Sequence, residues 1–297
     1  MQQTHFKRPG PAPDFPPIAA FLENWAEHRD LSDELQRLER FAATDSSSPG
    51  EGAWRVVESL VSVARHLNHR AQDAALKVQP KWLPDFVRAT AYGYWAHRLA
   101  MSEYRQRELD HAFALHEAGF ILGSCVTLGW LDHARSMAVQ MAAAFDTSFY
   151  YDRDDAYHRR AQTFVLRLAL DWNGSRREWP SYAFDVPAYD YLVHHWRDKD
   201  PDVLLHALLA ACDRHMHEAH EDSPHARHDI CAPHYVYLPF EILAVMRLRE
   251  QHGLALPYVD HTLMLTPLGR LPKPQTWIED EVLTTTISRV RRDHPQL

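Results

Sequence analysis

Apolar residues in this chain recur at spacings of three and four, segment after segment, and nowhere alternate at a period of two for more than a few residues. A period near 3.6 lays one stripe of side chains along a helix face, whereas a half-buried strand needs a period of two. The pattern therefore predicts an all-α fold, a single compact multi-helix bundle of about eight to twelve helices. With 45% hydrophobic and 24% charged residues over 297 positions, the chain has enough apolar surface to bury a core of that size.

Local signals place the helices. Residues 1–17 carry five prolines and read as an extended arm. Apolar spacing predicts one helix or two short ones over 18–41, then a helix through Trp54, Val57, Leu60, Val61, Ala64 and Leu67 that ends before Pro80. Pro84 suits the first turn of a third helix. Segments 108–128 and 131–145 read as an antiparallel pair joined at Leu128-Gly129-Trp130, a tetratricopeptide-like hairpin in which Gly119 and Gly123 permit close approach. No second copy follows at the 34-residue period, which argues against an array. Further helices are expected over 154–172 and 188–196, after an Asp200 cap with Pro201 in the first turn, from Pro239 to a Gly253 cap, and over 278–292. The stretch from Pro239 is apolar on most sides and so predicts a central, buried helix. In domain terms the expectation is an arm at 1–17, an N-terminal helical portion at 18–150 and a C-terminal one at 151–297, packed as one unit.

The sequence offers little that would do chemistry. It holds no G-x-G-x-x-G, no phosphate-binding G-x-x-x-x-G-K-[ST] loop and no G-x-S-x-G elbow. Its three cysteines, Cys125, Cys212 and Cys231, are too few for a disulfide scaffold and read as buried structural thiols. Twenty-one histidines raise the question of metal, and the densest group is Cys212, His215, His217, His220, His225, His228, Cys231 and His234. Zinc needs four N or S ligands that converge. On a helix Cys212 and His215 share a face, but His217 diverges. His217-Glu218-Ala219-His220 is one residue short of H-E-x-x-H, and no histidine completes the motif begun at His116-Glu117. These histidines are therefore expected to be polar surface and loop positions, with no metal, no cofactor and no catalytic residue. A metal-dependent helical hydrolase using the His215–His234 cluster stands as the alternative. Asp152-Arg153-Asp154-Asp155 reads as a helix start whose carboxylates complement the dipole.

Charge is the stronger signal. The net formal charge is −8, which disfavours nucleic acid as a partner and favours a basic protein. From Asp185 to Asp202 five aspartates stand against Arg197 and Lys199, and from Asp213 to Asp229 five acids stand against Arg214 and Arg227. An acidic face with aromatic anchors is expected there: Trp179, Asp185, Asp190, Trp196, Asp198, Asp200, Asp202, Glu218, Glu221 and Asp222. Tyrosine and tryptophan are favoured anchors, and opposite charge speeds encounter. The start lacks an apolar signal-peptide core and no run approaches a membrane span, so a cytoplasmic protein with no membrane partner is expected.

Two segments carry a resemblance. AYDYLVHHWRDKDPDVLLHALLAACDRHMHEA and LPFEILAVMRLREQHGLALPYVDHTLMLTPLGRLP, together spanning 188–272, resemble the PoNi family of bacterial immunity proteins, antitoxins of PoNe-type DNase effectors delivered between competing cells. The shared features are an apolar helix opening at Pro239 and Glu241, and the Asp260-His261 pair followed by a turn with Pro267 and Pro272. Thr262 stands where the family has proline. The resemblance implies an all-α fold, no enzymatic activity, and inhibition by binding a cognate toxin, with a homodimer left open. Pro239, Glu241, Asp260 and His261 are expected to hold the C-terminal segment in place.

Overall fold

A computed structural model of the chain describes residues 8–13, 31–44, 51–107, 112–152, 159–223, 226–295 and 297. Among them are ten α-helices and no strand. They are α1 (Ser32–Ala43), α2 (Glu51–Leu76), α3 (Trp82–Arg107), α4 (Leu115–Thr127), α5 (Leu131–Ala144), α6 (Arg160–Trp172), α7 (Pro187–His195), α8 (Asp202–His217), α9 (Phe240–Gln251) and α10 (Glu281–Asp293). The expected all-α bundle is what the chain forms. None of these helices is long and apolar enough to cross a membrane.

Three helices make the centre. Twelve of the thirteen residues of α4 are buried, as are Ala161–Leu170 of α6 and every residue of α9 from Phe240 to Arg249. Gly119 and Gly123 let them meet. A methyl group on Gly119 would lie 2.4 Å from the Gln162 side chain of α6, and one on Gly123 would lie 2.6 Å from the Phe240 ring of α9. The two small residues thus open α4 to α6 and α9 rather than to its own hairpin partner α5. That partner follows after Gly129, whose φ of +79° makes the tight reversal. One continuous apolar core runs from Ala12 to Val290 across the bundle.

Helix α9 is also where the C-terminal segment is tied down. Arg247 and Arg249 are fully buried, yet neither lacks partners. Arg247 donates to the carbonyls of Thr127 (3.0 Å) and Pro272 and to the Glu250 carboxylate. Arg249 donates to the carbonyls of Trp196 (2.7 Å), Asp198 (2.8 Å) and Ala255. Buried guanidinium groups survive only when their donors are satisfied, and here backbone carbonyls do it. Beyond Pro272, Gln275 pairs with Leu128 and with the Trp130 indole, and Trp277 stacks on His133 at 4.0 Å. Asp280 then caps α10 while accepting from Arg88 and Tyr92.

Of the residues expected to hold this segment, His261 and Glu241 are buried and paired, and Asp260 is exposed. His261 Nε2 lies 3.1 Å from Asp213 and its Nδ1 accepts from the Leu263 amide. One nitrogen accepting fixes the neutral tautomer. Glu241 instead meets His215 of α8 at 2.7 Å, with the other His215 nitrogen 2.8 Å from the Val236 carbonyl. Two acceptors on one ring call for two protons, so this is a buried imidazolium–carboxylate pair, and Glu241 joins α8 to α9 rather than fastening the C-terminal wrap.

A single parallel bridge, Phe113 to Tyr150, packs against His97. The His97 ring is fully buried and its Nε2 lies 2.9 Å from the Tyr150 hydroxyl. Burial, with the Arg98 charge behind it, pushes this imidazole down from 6.5 to about 3. The unfolded chain then binds a proton that the folded chain refuses, so stability is complete above pH 6.5 and falls as the pH drops towards 3. We expect His97→Gln, which keeps a polar partner for Tyr150 and cannot titrate, to flatten unfolding free energy against pH by up to about 1.4 kcal/mol per pH unit between pH 6 and 4. Parallel curves for the two proteins would show that His97 is not the group responsible.

Candidate functional site

The residues expected to form one acidic face lie at two ends of the bundle, separated by the sixteen residues of α8, about 24 Å of helix. At one end α7 finishes, α8 begins and α9 finishes, joined through the Arg249 guanidinium. Asp200 and Asp202 are exposed there and carry no ion pair among the described residues. Asp200 accepts the Asp202 amide at 3.0 Å, which is the expected helix-start contact. Asp198 pairs with His195 at 2.8 Å, and Arg197 is taken up by Asp171. Of the cations nearby, Arg197 is engaged, Lys199 is exposed beside Asp200, and the Arg249 charge acts on Asp198 and Asp200; Asp200 and Asp202 are themselves exposed.

The anchor role expected of Trp196 does not fit its position. Its side chain is 0% exposed and its indole donates to Asp171 at 2.8 Å. It lies under the acidic edge as a core residue. Trp179 is half-buried against Phe145 and Arg177. Tyr258, three residues after Ala255, is 77% exposed, and Leu256 is exposed as well. Both follow Ala255, whose carbonyl takes two donors from Arg249. Nothing in the spacing of Tyr258 marked it, because its exposure depends on where the segment after α9 is pinned.

The other end holds Asp185, Glu218, Glu221 and Asp222, and here internal cations absorb most of the charge. Asp185 pairs with Arg160 (3.2 Å), Glu218 with Arg214 (3.2 Å) and Asp222 with Arg159 (2.8 Å). Glu221 is exposed. Asp190, between the two ends, pairs with Arg167 at 2.5 Å. Asp213, grouped by sequence with these surface acids, is fully buried and clasped by Arg8, Gly10 and His261. Of the arm at 1–17, residues 8–13 are described, and Arg8 and Gly10 make this contact. The predicted helix over 18–41 is described as Ser32–Ala43, with Leu31 before it, and 18–30 lie outside the described residues.

Behind this second end is a polar network that the sequence reading missed. The bridge from Phe113 to Tyr150 brings Asp152 to the start of α4, where it accepts from the Leu115 amide, the His116 amide (3.2 Å) and His116 Nδ1 (2.5 Å). Asp152 does serve a helix N-terminus, as expected, but that of α4; α6, expected from 154, begins at Arg160. Arg159 is 2% exposed and binds Asp152 at 3.1 Å, Asp222, the His228 carbonyl and the Cys231 sulfur at 3.4 Å. Glu117 accepts from Arg65 (2.8 Å) and His234 (3.0 Å). Burial would raise the Glu117 carboxyl, but His234 and Arg65 outweigh it and hold the group well below its ordinary range.

These side chains border a cavity of about 360 Å³ lined by Arg65, His66, His69, His116, Glu117, Asp222, Cys231 and His234, among others. Cys231 is the one cysteine of the three that is not fully buried. Burial drives its thiol up to about 12 despite the Arg159 charge, so at neutral pH it is a thiol and not a nucleophile. The metal cluster of the alternative reading is not assembled among the described residues. His215 turns to Glu241, His217 to the Gly10 carbonyl and His234 to Glu117, while His225 lies outside the described residues. Among the described residues no three His, Cys, Asp or Glu side chains converge as a metal ion requires. Nor are these histidines all polar surface, since His215 and His234 are buried.

Comparisons with protein-family models, with curated proteins and with solved structures found no match to this chain.

Proposed function

We propose that this chain is an immunity protein that binds and neutralises a cognate bacterial toxin, a DNase effector, by setting an acidic edge against the basic surface with which the nuclease holds DNA. A nuclease must present cations to phosphates, and an inhibitor gains by presenting carboxylates in their place. The observation that carries the reading is the pair Asp200 and Asp202: exposed, in no ion pair among the described residues, and mounted where Arg249 locks three segments together. A pre-organised base of this kind spares the interface the cost of ordering itself on binding. Tyr258 supplies the exposed ring that Trp196 does not. The segment similarity over 188–272 covers all of these elements.

Co-expression with the toxin encoded beside this gene tests the reading, together with titration calorimetry of the two purified proteins. The wild type is expected to protect cells, and Asp200→Lys combined with Asp202→Lys to weaken binding at least about tenfold, with a shallower salt dependence than the wild type. Cells that die as readily with the wild-type protein as without it would remove the proposal. Equal binding by the double variant would move the docking face elsewhere.

A further inference from the structure

The cavity beside α4 has a chemistry that toxin binding leaves unused. Its carboxylates are already occupied by protein donors. Glu117 Oε1 takes Arg65 Nε at 2.8 Å and its Oε2 takes His234 at 3.0 Å. Asp222 Oδ1 takes the His228 amide at 2.8 Å and its Oδ2 takes Arg159 at 2.8 Å. Its donors are not all spent. Arg65 is 42% exposed and uses only Nε, so its terminal nitrogens have no hydrogen-bond acceptor among the described residues. His116 gives Nδ1 to Asp152, and its Nε2 stands 3.8 Å from the nearest carboxylate oxygen, Glu117 Oε1, too far for a hydrogen bond. The terminal nitrogens of Arg65, charged and without an acceptor, are complementary to an oxyanion, which a guanidinium edge grips through parallel hydrogen bonds.

A second cavity, of about 440 Å³, shares Arg65 and Glu117 with the first and is lined beyond them by Trp54, Val57, Val61, Phe113 and Tyr151 among others. Glu34, Arg37 and Glu58 also line the second cavity, so the two together pair a polar head site with an extension that is aromatic and aliphatic on one side and charged on the other.

We propose that this paired cavity binds a small organic oxyanion, a carboxylate or phosphate monoester, with its charged head on the terminal nitrogens of Arg65 and its apolar body against Tyr151 and Trp54. Glu117 is then a positioning residue: by holding Arg65 through Nε it turns the terminal nitrogens towards the ligand. The site lies on the α4 side, away from Asp200 and Asp202, and its existence does not depend on the immunity reading.

Titration calorimetry of the full chain at neutral pH and low salt, with phenyl phosphate, inorganic phosphate and benzyl alcohol as probes, decides the matter. Phenyl phosphate is expected to bind saturably with one equivalent per chain and a Kd of about 1 mM or tighter, inorganic phosphate more weakly, and benzyl alcohol not at all. Arg65→Gln is expected to weaken phenyl phosphate at least about tenfold, while Arg65→Lys, which keeps the charge but loses the parallel hydrogen bonds, recovers only part of the affinity. Tyr151→Ala, at an exposed position, is expected to weaken phenyl phosphate and to leave inorganic phosphate unchanged. Absence of saturable phenyl phosphate binding to the wild type overturns the proposal, as does undiminished binding by a folded Arg65→Gln protein. If Arg65→Gln fails to fold, undiminished phenyl phosphate binding by Tyr151→Ala overturns it instead.

Discussion

Replacing Arg159 with alanine is expected to destabilise the fold by about 3–5 kcal/mol, the usual cost of removing one partner from a buried ion pair. The guanidinium joins the segment before α6, through Asp152, to the loop after α8, through Asp222 and Cys231. Its loss leaves Asp152 buried with His116 as its side-chain partner among the described residues, and leaves the His228 carbonyl without this donor. Urea denaturation measures the effect. The midpoint should fall while the slope stays near that of the wild type, because the native surface is unchanged. The variant should also unfold at a higher pH in acid, since Arg159 is among the groups that hold the Asp152 carboxyl below its ordinary range against burial. A loss under about 1 kcal/mol would mean that backbone amides and His116 alone suffice for Asp152.

Trp196→Ala is expected to cost a comparable amount, about 3–5 kcal/mol, as large aromatic truncations in a packed core do. The ring is fully buried, its N–H is bonded to Asp171, the Arg197 guanidinium lies 4.0 Å over its face, and His252 meets its edge. This separates two roles. A core tryptophan costs stability in the isolated protein; an interface anchor would leave the melting temperature intact and weaken only the complex. Thermal unfolding of the free variant tells them apart, and an unchanged midpoint would return Trp196 to the surface role that its neighbourhood in the sequence suggested.

Much of the fold was legible because helix signals are local. Pro84 in a first turn, the Asp200-Pro201 start and the Gly253 stop, with φ of +65°, each work through the backbone of a few adjacent residues. The all-round apolarity of the segment after Pro239 marked α9 as central, and it is. The acidic edge was half legible. Asp198, Asp200 and Asp202 are adjacent in sequence and stay together at one helix start. Glu218, Glu221 and Asp222 were grouped with them by composition, but a helix rises about 1.5 Å per residue, and α8 carries them to the far end.

The polar cavity was not legible at all. Arg65, His116, Glu117, Asp152, Arg159 and His234 come from five regions of the chain, and each has an ordinary reading in its own segment. His116-Glu117 looked like a motif left incomplete, and Asp152 like a dipole partner for the wrong helix. Cysteine burial was right for Cys125 and Cys212 and wrong for Cys231, because the exposure of a loop thiol depends on what packs over it.

By itself, then, the amino-acid order determined which segments coil, where they start and stop, and which face of each turns inward, since those choices rest on steric and hydrophobic preferences within a few residues. The tertiary structure decided which charges are spent and which remain available. Coulomb and hydrogen-bond partners are chosen by distance in space: Arg249 is held by carbonyls, Arg159 by two aspartates, and Asp200 and Asp202 are left to the solvent.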